Sequence, residues 1–88
     1  HVSSWFAPGP DVRTEATIID EQGTAWRPDR VILDGSRVRV LDIKTGRPRE
    51  EHHDQVAGYM SLLRRMGHTH VEGALLYVRT GELRPVKP

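Results

Sequence analysis

The chain has 88 residues, a formal net charge of +1 and no cysteine, and 28% of its residues are charged. This composition fits one small domain and excludes disulfides and thiolate metal sites. No apolar stretch approaches membrane-spanning length and no signal-peptide pattern is present, so we expect no membrane partner and a cytoplasmic location. Because the chain begins at His1, we also expect it to be a piece of a longer protein.

Residues 1–11 contain Trp5 and Phe6, followed by a segment rich in proline and glycine. This pattern predicts a hydrophobic anchor and then a linker, or the remnant of an upstream segment. Residues 12–80 carry regular apolar patterns and form the predicted domain core. Residues 81–88 contain two prolines and no pattern, so we expect a loose tail.

Three strands are predicted at the start of the core, over residues 14–20, 27–33 and 37–43, which are rich in branched apolar side chains. Residues 21–23 suit a three-residue hairpin loop, and Gly35-Ser36 suits a two-residue loop with glycine at the first central position. These loops predict an antiparallel meander in which Asp29 lies opposite both Glu15 and Asp42.

Opposed residues share a face of the sheet, so Asp29 and Asp42 are predicted neighbours, and Lys44 lies on the same face. One face of this pair of strands is an apolar wall of Val31, Leu33, Val38 and Val40. The other face is predicted to be wetter, with Arg30, Ile32, Arg37, Arg39 and Leu41. A row of carboxylates at Glu15, Asp29 and Asp42 needs a cation or proton to offset its charge, and hard oxygen ligands favour Mg²⁺ or Mn²⁺.

A helix is predicted over residues 49–66, where apolar residues recur at helical spacing. Pro48 suits its first turn, and Gly67 suits its C-terminal stop. Residues 71–78 are almost continuously apolar, which predicts a strand buried on both faces. The order is therefore β-β-β-α-β, with the last strand parallel to the third and joined to it by a right-handed crossover.

These motifs resemble the PD-(D/E)XK nuclease superfamily, and within it the RecB-like nuclease domains that are often fused to superfamily 1 helicases. The resemblance covers residues 12–80, which would form a nuclease core. It rests on four elements in order: Glu15, Arg27-Pro28-Asp29-Arg30, Leu41-Asp42-Ile43-Lys44-Thr45-Gly46 and Gln55-Val56-Ala57-Gly58-Tyr59. It implies an α/β (α+β) restriction-endonuclease-like core. The helix that usually precedes the first strand in this family is not recognisable in residues 1–11, and we expect it to be missing.

The resemblance also implies roles for the matched residues. Asp29, Asp42 and the backbone carbonyl of Ile43 would bind Mg²⁺ or Mn²⁺, with Glu15 as a further ligand or an ordinary strand carboxylate. Lys44 would orient or deprotonate the attacking water and offset charge on the phosphate. Gln55 would flank the site and help to position it or the DNA, although a polar residue there also suits the edge of the core.

Other side chains are candidates for DNA contact: Arg47, Arg49, Tyr59 and His53. For the arginines a solvated surface is an equal alternative, and Tyr59 also suits a core aromatic with a polar partner for its hydroxyl. His52 and His53 point about 100° apart on a helix, which disfavours a shared zinc ion. We therefore expect solvent exposure or phosphate contact for the histidines.

The function implied is a Mg²⁺-dependent deoxyribonuclease or exonuclease that acts in DNA end processing, recombination or repair. Its partners would be DNA and a helicase domain or subunit of the full-length protein. Without the upstream helix, this piece alone would be weakly active or inactive. Two alternatives stay open: a non-catalytic DNA-binding or scaffolding module that retains the nuclease fold, and a small-molecule metallohydrolase.

Overall fold

The computed structural model describes residues 12–14, 17–35 and 37–87. These residues form seven strands and one helix. Their bounds are β1 Val12–Thr14, β2 Ile18–Ile19, β3 Ala25–Trp26, β4 Arg30–Asp34, β5 Arg37–Lys44, α1 Glu50–Arg65, β6 His70–Tyr77 and β7 Glu82–Val86.

The main sheet has five strands in the order β1-β4-β5-β6-β7, and β2 and β3 form a separate two-stranded ribbon. All described neighbours are antiparallel except β5 and β6, which are parallel and joined through α1. This mixed arrangement, a mostly antiparallel sheet with one helix among the described residues, confirms the predicted fold class. No helix in the described part of the chain is long and apolar enough to cross a membrane.

The predicted registers of the meander are confirmed where the structure describes them. Asp34 pairs with Arg37 and Arg30 with Leu41, as the two-residue loop requires. Gly35 has a φ of 61°, a conformation that glycine adopts without the steric penalty of a side chain. In the ribbon, Ile18 pairs with Trp26, as the three-residue loop predicts.

The first two predicted strands are nevertheless shorter than predicted: among the described residues, Thr17 and Asp20 of the first and residues 27–29 of the second lie outside strands. Val12–Thr14 pairs with β4, whereas Ile18–Ile19 pairs, among the described strands, with β3. The break on the second strand coincides with Pro28, which has no backbone N–H to donate to a ladder. Glu15 lies outside the described residues, so its pairing with Asp29 stays a prediction.

Helix α1 packs on the face of the sheet that carries Val31, Val38, Val40 and Leu75, as the apolar pattern predicts. Its buried residues are Val56, Tyr59, Met60, Leu62 and Leu63. Arg49 is the N-cap, so Pro48 precedes the helix. The prediction that Pro48 lies in the first turn was wrong. Gly67 follows the C-cap with a φ of 104°, which confirms the predicted stop.

The opposite face of the sheet has a small second core, where a wetter surface was predicted. Ile32, Leu41, Ala74 and Leu76 are buried there, and Leu83 packs against them. Even Arg39 is only 8% exposed. The prediction was wrong here because it took no account of β7, whose Leu83 helps to cover this face.

Residues 82–86 form an edge strand, so the prediction of a loose tail at 81–88 was also wrong. Gly81, with a φ of 71°, closes the turn from β6, and its N–H donates a 2.9 Å hydrogen bond to the carbonyl of Tyr77. Val86 is buried, and Pro85 is tolerated because β7 is the outermost strand.

Candidate active site

Two aspartates meet where the ladder between β4 and β5 ends. Continued past Arg30 and Leu41, the register would place Asp29 opposite Asp42 and then Pro28 opposite Ile43, but proline has no N–H and Pro28 lies outside the strand. The N–H of Ile43 instead donates a 2.7 Å hydrogen bond to Oδ2 of Asp29. In return, the N–H of Asp29 donates a 3.0 Å hydrogen bond to Oδ1 of Asp42. The two carboxylates are therefore held side by side by backbone groups, as the predicted register requires.

Asp42 is only 3% exposed. Burial raises the pKa of its carboxyl group, because the ionised form loses hydration; the nearby charge of Asp29 acts in the same direction. The hydrogen bond from the Asp29 N–H and the ammonium group of Lys44 oppose this rise of the pKa without cancelling it. The site thus places negative charge where water cannot fully solvate it, a condition that favours a cation.

Lys44 connects the carboxylates to the helix. Its Nζ lies 3.4 Å from Oδ2 of Asp42 and donates a 2.7 Å hydrogen bond to Oε1 of Gln55. Nε2 of Gln55 in turn donates a 3.0 Å hydrogen bond to the Tyr59 hydroxyl. The structure therefore brings Asp29, Asp42, Lys44 and Gln55 together, as the sequence predicts.

Tyr59 anchors this chain of contacts in the core. It is 3% exposed, and Trp26 lies edge-on to its ring with the centroids 5.9 Å apart. Burial, together with the charge of Asp42, raises the pKa of Tyr59 to about 12, so the hydroxyl is protonated at neutral pH. This burial is typical of a core aromatic with a polar partner and does not favour a direct contact of Tyr59 with DNA.

Beside Lys44, an open recess of about 430 Å³ is lined by basic side chains of the loop between β5 and α1, including Arg47 and Arg49. Both arginines are exposed. His53 is also exposed but borders a different recess. The neighbouring His52 lines the recess next to Lys44 instead. For His52 the sequence left solvent exposure and phosphate contact as equal expectations, and only His53 was named as a DNA-contact candidate. The position of His52 three residues before Gln55, on the same helix face, is the signal that distinguishes it from His53.

Most of the chain, including these site residues, matches a known protein family. The model of the PD-(D/E)XK nuclease superfamily matches residues 26–88, more than half of the chain. The chain belongs to this superfamily. No curated protein matches the chain significantly.

Members of the PD-(D/E)XK superfamily are generally nucleases and typically use divalent metals, so this domain is of nuclease type with DNA as the implied substrate. The matched region contains Asp29, Asp42, Lys44 and Gln55 and begins after Glu15.

The described residues contain donors that fit a divalent cation. In an extended strand the N–H and C=O of one residue point the same way, so the carbonyl of Ile43 faces the side on which its N–H meets Asp29. Two carboxylates and a carbonyl suit Mg²⁺, which keeps several of its waters. Within the described ranges, no cluster of three or more histidine, aspartate or glutamate side chains could hold a metal, and Glu15 lies outside them.

Proposed function

We propose that this chain is the core of a metal-dependent DNA nuclease that hydrolyses phosphodiester bonds. The observation that carries the proposal is the fixed position of Lys44, which lies between the buried carboxylate of Asp42 and the side chain of Gln55. A surface lysine at a strand end would normally be mobile and solvated. Here its ammonium group is aimed at the place where two aspartates converge.

In this proposal Asp29, Asp42 and the carbonyl of Ile43 hold Mg²⁺ or Mn²⁺. When bound, the cation supplies Lewis-acid stabilisation of charge that develops on the phosphate oxygens. Glu15, which lies outside the described residues, is proposed as a further ligand.

Lys44 orients the attacking water and offsets charge on the phosphate. An ammonium group has three donors, and the contacts with Asp42 and Gln55 engage two of them. The third N–H is left for water or a phosphate oxygen. Gln55 restricts the rotation of the Lys44 side chain, so less conformational freedom is lost when DNA binds.

DNA contacts are proposed for the basic rim of the recess, chiefly Arg47 and Arg49. Their guanidinium groups attract backbone phosphates without reading the sequence. His53 is a further candidate, although it borders the other recess. Tyr59 acts through Gln55, because its buried ring leaves only the hydroxyl group for polar contact.

We further propose a RecB-like exonuclease context, in DNA end processing, recombination or repair, within a longer cytoplasmic protein that includes or binds a helicase. The sequence resemblance supports this context.

Cleavage of end-labelled single- and double-stranded DNA tests the function. The parent chain, Lys44→Ala and Lys87→Ala are compared in Mg²⁺, Mn²⁺ and EDTA; Lys87 is the other lysine, exposed near the chain's end. Metal-dependent cutting by the parent and Lys87→Ala, lost in Lys44→Ala, would support the proposal. Equal cutting by Lys44→Ala would contradict it.

The non-catalytic module remains the second candidate, and titration with Mn²⁺ separates it from a nuclease. Binding of Mn²⁺ that weakens in Asp42→Ala supports a functional metal site even if this piece cuts slowly. DNA binding without any Mn²⁺ binding at Asp42 would favour the scaffold.

A further inference from the structure

His52 makes a contact that the proposed chemistry does not use. Its Nδ1 lies 3.2 Å from the hydroxyl of Tyr77, and the two ring centroids are 5.8 Å apart. Tyr77 is 2% exposed, and the guanidinium of Arg84 lies 5.5 Å from the centre of its ring. The hydroxyl that meets His52 therefore belongs to a side chain that packing holds in place.

The contact decides which nitrogen of His52 is available. Because Nδ1 is engaged by Tyr77, Nε2 is the ring nitrogen left for a partner outside the protein. His52 is half-buried and lines the recess shared by Lys44, Arg47 and Arg49. A phosphate in that recess would meet a ring nitrogen whose position and orientation are already set.

The placement of His52 parallels that of Gln55. Lys44 and Tyr77 are register partners at the ends of the parallel strands β5 and β6, so their side chains share the face under α1. Lys44 bonds Gln55, and Tyr77 bonds His52, three residues earlier on the helix. Adjacent strands lie about 4.8 Å apart and three helical residues advance about 4.5 Å. His52 therefore lies beside the point where Lys44 acts, not at that point.

We propose that His52 is a phosphate-binding residue that contacts the DNA backbone next to the scissile phosphate, and that Tyr77 is the residue that positions it. This inference rests on the proposed function. The nearby carboxylates do not block it: Glu51 lies 3.1 Å from the guanidinium of Arg49, and Glu50 and Glu51 are both exposed, where water screens their charge.

The test measures the binding of a fluorescein-labelled oligonucleotide by anisotropy, with Ca²⁺ in place of Mg²⁺ so that binding is read without relying on cleavage. We expect His52→Ala to raise the Kd about threefold to tenfold, the effect of losing one hydrogen bond to a charged group in a partly exposed site. His52→Gln, which keeps a donor, should recover part of this loss. His70→Ala is the matched control, because His70 is exposed at the opposite end of β6.

Tyr77→Phe separates positioning from packing, since it keeps the ring and removes only the hydroxyl. We expect a smaller rise of the Kd, and no further rise when Tyr77→Phe is added to His52→Ala, because the hydroxyl acts only through His52. Circular dichroism and thermal unfolding confirm that each variant is folded. A merely structural contact would lower the melting temperature and leave the Kd of the folded protein unchanged.

An unchanged Kd in His52→Ala would overturn the inference, and a Kd that rises in His53→Ala instead would assign the contact to the neighbouring histidine. The absence of DNA binding by the parent chain would also overturn it. Cleavage assays with Lys44→Ala keep the two proposals apart. Metal-dependent cutting with an unchanged Kd in His52→Ala would reject the role of His52 and leave the nuclease standing. DNA binding that weakens in His52→Ala, in a protein that shows no Mn²⁺ binding at Asp42, would keep the phosphate contact of His52 and reject the metal-dependent nuclease.

Discussion

The backbone N–H of Asp29 donates a 3.0 Å hydrogen bond to the carboxylate of Asp42, and the carboxylate of Asp29 accepts a 2.7 Å hydrogen bond from the N–H of Ile43. These two bonds continue the connection between β4 and β5 past Pro28, where a backbone ladder cannot continue. They also hold two negative groups together, one of them almost fully buried. The same two aspartates therefore connect the strands and concentrate negative charge.

Asp42→Asn should stabilise the metal-free protein. The folded-state pKa of Asp42 is raised, so its contribution to stability is largest below the unfolded pKa and is lost as the pH rises through the folded pKa. Above the folded pKa the ionised group is therefore destabilising, whereas asparagine is neutral and keeps the acceptor for the Asp29 N–H. Thermal unfolding in EDTA at a pH above the folded pKa should show a higher melting temperature for Asp42→Asn than for the parent, and the difference should shrink as the pH falls.

Adding Mg²⁺ should raise the melting temperature of the parent and not that of Asp42→Asn, because ligands stabilise the state that binds them. A lower melting temperature for Asp42→Asn in EDTA would show that the ionised carboxylate is stabilising, contrary to this expectation.

Gln55→Ala should slow cleavage without unfolding the protein. Gln55 is exposed, so its loss leaves the core intact, but Lys44 loses the 2.7 Å contact that restricts it. We expect kcat to fall about tenfold to a hundredfold with little change in KM, the pattern of a lost positioning interaction. Tyr59→Phe should show a smaller fall of kcat. An unchanged kcat in Gln55→Ala would mean that Lys44 needs no support from the helix.

Gly73→Ala should destabilise the fold. A Cβ there would collide with Sδ of Met60 and lie 2.8 Å from Cγ1 of Val56, where the helix crosses the sheet. We expect a loss of about 1–3 kcal/mol in the free energy of unfolding, typical of overpacking, measured by denaturant titration. Gly46→Ala is the control, since nothing lies within 4 Å of its added Cβ and its φ is not positive. Equal stability of both variants would indicate that Met60 moves aside freely.

Val86→Ala should reveal the contribution of β7. Val86 is 5% exposed and belongs to the main core, so truncation should reduce the free energy of unfolding by about 1–2 kcal/mol. The matched variant is Val78→Ala, because Val78 is 48% exposed in the turn before β7. If Val86→Ala matched Val78→Ala in stability, residues 82–86 would contribute little in solution.

The meander and the helix could be predicted because their determinants are local. Gly35 and the two-residue loop set the register that brings Asp29 opposite Asp42, and a period of two residues then assigns every side chain in the pair of strands to a face. The observed helix differs from the predicted one by only one residue at each end. Its ends could be predicted because Glu50, Gly67 and the apolar spacing are signals that lie close to them along the chain. The four residues Asp29, Asp42, Lys44 and Gln55 followed from this local geometry and from the family motifs.

The remaining features depend on contacts between residues that are distant along the chain. Strand β7 has little intrinsic pattern and forms because the free edge of β6 offers hydrogen bonds and a core for Val86. The contact between His52 and Tyr77 joins residues 25 positions apart, across the crossover from helix to strand. Local sequence determines strand register and helix face, because these depend on neighbouring dihedral angles. The tertiary structure alone decided which faces of the sheet are covered and which polar side chains meet. Both depend on the packing of the whole sheet against α1 and β7.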